Sequence, residues 1–288
     1  MYGTVPTHQD GTAAFDPTRQ NLSRTFTFLW LMIGSVSLCS VLLGISFSYT
    51  FPRASDAPED EITQLDAAEN PPQENTLGCF PVPSIQVFPC PTITTVSIAQ
   101  HLVDRGPYPP TTVDLCYTNT TFNLVFSTDH EDTFWVNTSY GHNDNIWEYN
   151  VFEAFIALGV NDPVEYFEFE VSPTNQSYSA YILNPHKDFS WPVGHFFVGK
   201  NESDARDLGI RVATETDHAA HTWVSHVELG LDLFDVGDDS PQGTQWRMNF
   251  MRKITDPTLF PAQNCGAWNA PNVYNFHETP CFGRVKFA

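Results

Sequence analysis

From residue 79 onward the chain alternates apolar and polar positions in steps of two. In EYFEFEV, Phe167, Phe169 and Val171 face one way while Tyr166, Glu168 and Glu170 face the other. TFNLVFS alternates Phe122, Leu124 and Phe126 with smaller or polar residues, and HTWVSHVEL alternates Trp223, Ser225, Val227 and Leu229 with Val224, His226 and Glu228. QWRMNFM does the same with Trp246, Met248 and Phe250. A period of two is that of a strand with one face in a core. Turn-rich stretches (SPTNQS, NPHKD, VGDDSPQG) punctuate these runs,. Many short alternating strands must pair two apolar faces, so the pattern predicts an all-β fold, a β-sandwich over 79–288. Trp223 and Trp246 open alternating strands and are expected in its core. No other helical period emerges from this region.

The N-terminal part is patterned differently. Between Arg24 and Arg53 lie 28 residues without a charge, rich in Phe, Leu, Ile and Val. About 20 apolar residues suffice to cross a bilayer core. The division that follows is a cytosolic tail (1–25), one N-terminal transmembrane helix acting as signal anchor (26–50), an acidic Pro-rich stalk (51–78) and the β-domain (79–288). In the stalk, Pro52, Pro58, Pro71 and Pro72 stand among Asp56, Glu59, Asp60, Glu61, Asp66, Glu69 and Glu74, a composition too polar to fold on its own,. A cleaved signal peptide ending near Ser46 and Ser48 is the competing reading, although its apolar region is usually only about 7–15 residues long.

Orientation rests on three features. Arg19 and Arg24 precede the span and Arg53 alone follows it closely,. Sequons at Asn119, Asn137, Asn175 and Asn201 and five of six cysteines lie after it. Both suit an extracellular or secretory-lumen location for the C-terminal domain. A sequon at Asn21 would stay unmodified. Cys39 falls within the span. Of the luminal cysteines, Cys265 and Cys281 are candidates to staple the last loop to the last strand, and Cys79 and Cys90 to close the domain's entry. Pairing of Cys116 with Cys79 or Cys90 is equally allowed, and an odd number leaves one thiol over.

The net charge is −21, from 34 acidic and 13 basic residues. That balance argues against nucleic acid and anionic lipid surfaces as partners and suits neutral ligands or cations. Glu153, Glu168 and Glu170 are strand carboxylates of the kind that cleave glycosides when two converge, but linear spacing does not show convergence. Asp232, Asp235, Asp238 and Asp239 crowd one turn, where solvated charges are the plain reading and a structural calcium site the sharper one. His218, His221 and His226 lack a zinc-ligand pattern. Met248 and Met251 fall on opposite faces of a strand, which disfavours a shared haem site. No metal or other cofactor is expected.

The order of several motifs carries more than any one of them. WEYNVFEAFIA (147–157) is followed by YFEFEVSP (166–173), SAYIL, HTWVSHVELGLDLF, GTQWRMNFMRK (243–253) and finally AWNAPNVYNFHETPCFGRVKF (267–287). This succession, over roughly 111–288, resembles the family 9 carbohydrate-binding modules known as appendages of xylanases. The resemblance implies a β-sandwich that binds a glycan end without cleaving it. It places two stacking rings at Trp147 and Phe276, the latter followed by His277, and a hydroxyl-binding carboxylate at Glu153. Stacking suits the C–H faces of a pyranose, and a carboxylate suits its hydroxyls. The chain departs from the sugar-binding pattern in having Phe rather than Trp at 276, and Glu at 170 near where a basic residue is expected. Carbohydrate is therefore the expected partner. The alternative is a structural or adhesion subunit that binds a protein partner with the sugar site lost, and a glycan-active enzyme is third.

Overall fold

The computed structural model describes Cys79 and residues 81–187, 194–236 and 240–288. The predicted tail, membrane helix and stalk, with Asn21, Cys39, Asp238 and Asp239, lie outside the described residues. Among the described residues no helix is long and apolar enough to cross a membrane.

The described chain is almost entirely β. In order, the strands are β1 (Ser84–Val87), β2 (Thr94–His101), β3 (Pro107–Tyr117), β4 (Thr121–Thr128), β5 (Val151–Leu158), β6 (Glu165–Val171) and β7 (Ser177–Leu183). Then follow β8 (Gly194–Phe197), β9 (Ile210–Asp217), β10 (Thr222–Gly230), β11 (Gln245–Thr255), β12 (Gln263–Ala267) and β13 (Gly283–Phe287). They hydrogen-bond in the order β8-β7-β6-β5-β11-β12-β2-β3-β4-β10-β9, with β13 antiparallel to the start of β11 and parallel to β1. The path curls back on itself, so that its two arms face each other as a sandwich. The corner is at β12, which pairs with β2 only through Gly266 and Ala267. The ring of Tyr108 packs directly on Gly266, where no side chain would fit, and its hydroxyl donates to the Arg252 carbonyl at 3.0 Å.

The space between the arms holds the main core. Phe152 of β5 stacks on Phe126 of β4 (centroids 5.2 Å) and on Trp223 of β10 (3.6 Å). Trp223 and Trp246 are fully buried there, as the alternation predicts. Met248 belongs to this core and Met251 to a second cluster on the opposite face of the same strand, again as their spacing predicts.

Two expectations are corrected. Cys265 does not pair with Cys281, nor Cys79 with Cys90: the bonds are Cys79–Cys281 and Cys90–Cys116, and Cys265 is a free, buried thiol. The parallel pairing of β1 with β13 brings the domain's start beside its end, and the bridge between Pro89 and Tyr117 sets Cys90 against the end of β3. A short helix, α1 (Glu202–Asp207), also forms where no helical period was visible. Asn201 caps it by accepting from the Ser203 and Asp204 amides, a favourable N-cap arrangement,.

One buried ion pair joins the core to the long β4–β5 connection. Arg252 Nη2 lies 3.1 Å from Glu131 Oε2, with both side chains fully buried. The other oxygen of Glu131 accepts from the amides of Thr133 and Phe134, both at 3.0 Å, and from Asn150 Nδ2 at 2.7 Å. Asn150 in turn accepts from the Thr255 amide of β11. Glu131→Ala would leave the guanidinium buried without its counter-charge and two backbone amides, of Thr133 and Phe134, without their acceptor. It is expected to cost about 3–5 kcal/mol, measured by urea denaturation followed through tryptophan fluorescence.

Candidate functional site

The site is built on the outer face of β5, β6, β7 and β11, opposite the main core. Alternation puts Glu153 on this face of β5, Glu168 and Glu170 on β6, Tyr178 on β7 and Lys253 on β11. The register places Glu153 directly opposite Glu170, and Glu170 opposite Tyr178. The spacing of EYFEFEV predicts that this face meets solvent. Instead six of the seven residues of β6 are buried, and Glu168 and Glu170 are only 4% and 2% exposed.

The reason is a cover. Phe155, Tyr166, Tyr178 and Phe282 make a second apolar cluster on this face. The segment after β12 folds over it. Phe276 meets Phe155 edge-on at 6.4 Å, Tyr166 Oη and His277 Nδ1 hydrogen-bond at 2.6 Å, and Asn184 Nδ2 donates to the His277 carbonyl at 2.9 Å. From the other side comes the 3-10 turn Ile146–Glu148. Its Trp147 carbonyl accepts from Gln263 Nε2 at 2.9 Å, and the indole meets Tyr178 edge-on at 5.4 Å. β8 adds His195, which hydrogen-bonds with the Tyr178 hydroxyl at 2.8 Å, and Phe197, whose ring meets Tyr178 at 5.6 Å.

Between floor and cover lies a cavity of about 610 Å³. Trp147, Glu153, Phe276 and His277 all line it. They come from a turn, a strand and the segment after β12. Sequence reasoning did not bring in Lys253, Tyr178, His195, Phe197 or Tyr274. The first stands beside a strand whose pairing partner was unknown, and the others carry no local motif. Phe276 is itself 5% exposed, and Lys253 Nζ sits 5.0 Å from its ring centre.

The floor holds three carboxyls and one ammonium. Lys253 Nζ lies 3.1 Å from Glu153 Oε1. Burial lowers the affinity of Lys253 for its proton, but Glu153 and Glu170 outweigh it and hold the group charged. Glu153 is raised by burial and drawn back by Lys253. Burial and the neighbouring Glu153 push Glu168 up to about 8, and burial with Glu153 and Glu168 raises Glu170 well above the usual carboxylate range,. The Oε2 atoms of Glu168 and Glu170 are buried without a hydrogen-bond partner. Such an arrangement can accept hydrogen bonds from hydroxyls, or a cation, while the walls offer ring faces.

The remaining candidates are dispersed. His221 Nδ1 lies 3.0 Å from Asp132 Oδ1, His218 packs on Phe134 at 4.1 Å, and His226 is exposed on β10. Among the described residues, the group of three potential ligands close enough to share an ion is Glu153, Glu168 and Glu170. Asp232 and Asp235 are exposed.

The β-sandwich fold is shared with solved structures. A protein of Bacteroides uniformis assigned to carbohydrate binding superposes with a TM-score of 0.54 at 13% identity, over 72% of this chain and 100% of its own. A family 9 carbohydrate-binding module of Caldicellulosiruptor kristjanssonii, in complex with cellotriose, gives 0.45 at 12% identity, over 71% of this chain and 93% of its own. No family profile matches the sequence. In sequence the chain is 40% identical over 207 residues to an extracellular protein of Arthroderma benhamiae, covering 71% of this chain and 90% of that protein. The chain belongs to the family of that extracellular protein.

His277 offers a check on the closed cover. Burial, then Lys253 and His195, hold it down at about 3, against 6.5 in an open chain. A depressed histidine contributes stability that is full above 6.5 and lost as pH falls toward 3, because the unfolded chain takes up the proton first. Unfolding free energies of wild type and His277→Gln, measured from pH 6.5 down to pH 4, are expected to converge by on the order of 2–3 kcal/mol.

Proposed function

We propose that this domain is a non-catalytic glycan-binding module, displayed outside the cell or in the secretory lumen on a single membrane helix and an acidic stalk. The observation that carries the reading is the cavity itself, with aromatic walls over a polar floor. Its volume of about 610 Å³ lies within the ~300–1,000 Å³ usual for small-ligand sites,. Trp147 and Phe276 serve as ring platforms, Glu153 accepts from sugar hydroxyls, and His277 holds the segment that carries Phe276. Phe197 and Tyr274, 57% and 60% exposed, extend the aromatic surface at the mouth. The fold shared with carbohydrate-binding proteins supports the same reading.

The placing of the acids favours binding over cleavage. Among the described residues, every carboxylate lining the cavity belongs to the same sheet face. A glycosidase needs two carboxyls flanking the scissile bond, about 5–9.5 Å apart. Among the described residues none lines the opposite wall. Weak binding by single domains becomes useful attachment when several tethered copies engage one polymer.

The location rests on the uncharged run between Arg24 and Arg53, on two disulfides, and on an extracellular relative. Asn119 and Asn201 are exposed. A glycan on Asn201 Nδ2 would leave intact the helix cap made by its Oδ1. Enzymatic removal of N-glycans from the protein of its native host is expected to lower its mass by at least these two glycans, and an unshifted band would reverse the orientation.

The binding test is a glycan array followed by calorimetry with the full-length chain. Trp147→Ala is expected to weaken the best sugar about tenfold or more, equivalent to the ~1.4 kcal/mol of one lost stacking face. Absence of binding to any sugar would favour instead a structural or adhesion subunit that binds a protein partner with the sugar site lost.

A further inference from the structure

The geometry points to a divalent-cation site for an ion of calcium's size on the cavity floor, held by Glu153, Glu168 and Glu170. Each of the three offers a carboxylate oxygen, and these atoms lie within 4.8 Å of one another. Oxygens on opposite sides of a calcium ion, each at 2.3–2.6 Å, stand about 4.6–5.2 Å apart. The ligands come from two adjacent strands in a fixed register, with Glu153 opposite Glu170, so convergence is set by the sheet and not by a mobile loop. Like charges directly opposite are unfavourable in a sheet unless something between them compensates.

Two further observations point to an ion. Glu168 Oε2 and Glu170 Oε2 are buried, line the cavity and have no hydrogen-bond partner, an arrangement that burial of a polar group disfavours,. The charges also balance. With all three carboxyls ionised against the single ammonium of Lys253, two negative charges remain, which one divalent ion neutralises on displacing the protons held there and a single ammonium-bearing ligand does not. Lys253 is occupied between Glu153 and the ring of Phe276, and does not reach hydrogen-bonding contact with the orphaned oxygens of Glu168 and Glu170. An all-oxygen ligand set selects hard cations over zinc or copper. The cavity above leaves the remaining coordination positions to water or to hydroxyl groups of its occupant. None of this depends on the glycan reading.

The test uses the full-length chain, stripped with EDTA and titrated calorimetrically with calcium chloride. One ion per chain is expected, with a Kd of about 0.1–1 mM as in extracellular calcium modules. The double variant Glu168→Gln with Glu170→Gln is expected to weaken binding at least tenfold. Glutamine keeps size and shape and removes the like-charge pair, so the fold should persist, as circular dichroism will report; Glu168→Gln alone serves if the double variant does not fold. Asp232→Asn with Asp235→Asn, on the exposed turn, should leave calcium affinity unchanged. Absence of saturable binding up to 10-fold above that Kd range, or equal affinity in the double variant, overturns the site. Saturable binding of glucosamine without calcium binding also overturns it, by assigning the acids to an organic cation.

Discussion

Three carboxyl side chains and one ammonium are buried together on the outer face of a sheet, and most of the domain's outer architecture answers to that constraint. Left in water, the acids of β6 would need no cover. They share their face with Phe155, Tyr166 and Tyr178, however, and apolar area of that size is driven out of water. The segment after β12 and the turn bearing Trp147 close over the rings and enclose the acids as well. The cover and the cavity walls are thus the same residues. A domain that buries carboxyls in this way gives up stability at one place, a pattern expected where a ligand is to be met.

β11 ties this outer face to the inner one. Consecutive residues on that strand, Arg252 and Lys253, point to opposite sides, and each finds a carboxylate: Glu131 inside and Glu153 outside. Glu131 also fixes the path of the chain toward Trp147 through Thr133, Phe134 and Asn150. The position of one cavity wall therefore depends on an ion pair in the core as well as on the contacts of Trp147 with Gln263 and Tyr178. The opposite wall depends on His277 remaining neutral beside Lys253.

The inner half of this architecture was legible in the sequence. Alternation in β4, β6, β10 and β11 gave the right core residues, Trp223 and Trp246 among them, because a period of two needs no knowledge of pairing. The outer half was less so. That Glu153, Glu168 and Glu170 converge follows from strand register, which spacing along the chain does not contain. That they are buried follows from a cover drawn from a distant segment. The disulfides were legible only in part: Cys90 with Cys116 was one of the allowed pairings and one thiol was expected to be left over, but Cys79 with Cys281 was not foreseen, because the parallel β1–β13 pair that sets them together joins distant parts of the chain. The four residues assigned through family resemblance do line one cavity, which local pattern alone could not have brought together. Their part in binding is a matter for the sugar titrations.

The bond between Cys79 and Cys281 has a mechanical meaning. Tension entering the domain through the residues before Cys79 passes not only along the backbone into β1 but also covalently into the turn Thr279–Cys281. That turn continues directly from the segment carrying Phe276 and His277. A pull at that end would load the cavity wall on one side of Cys281 and β13 on the other.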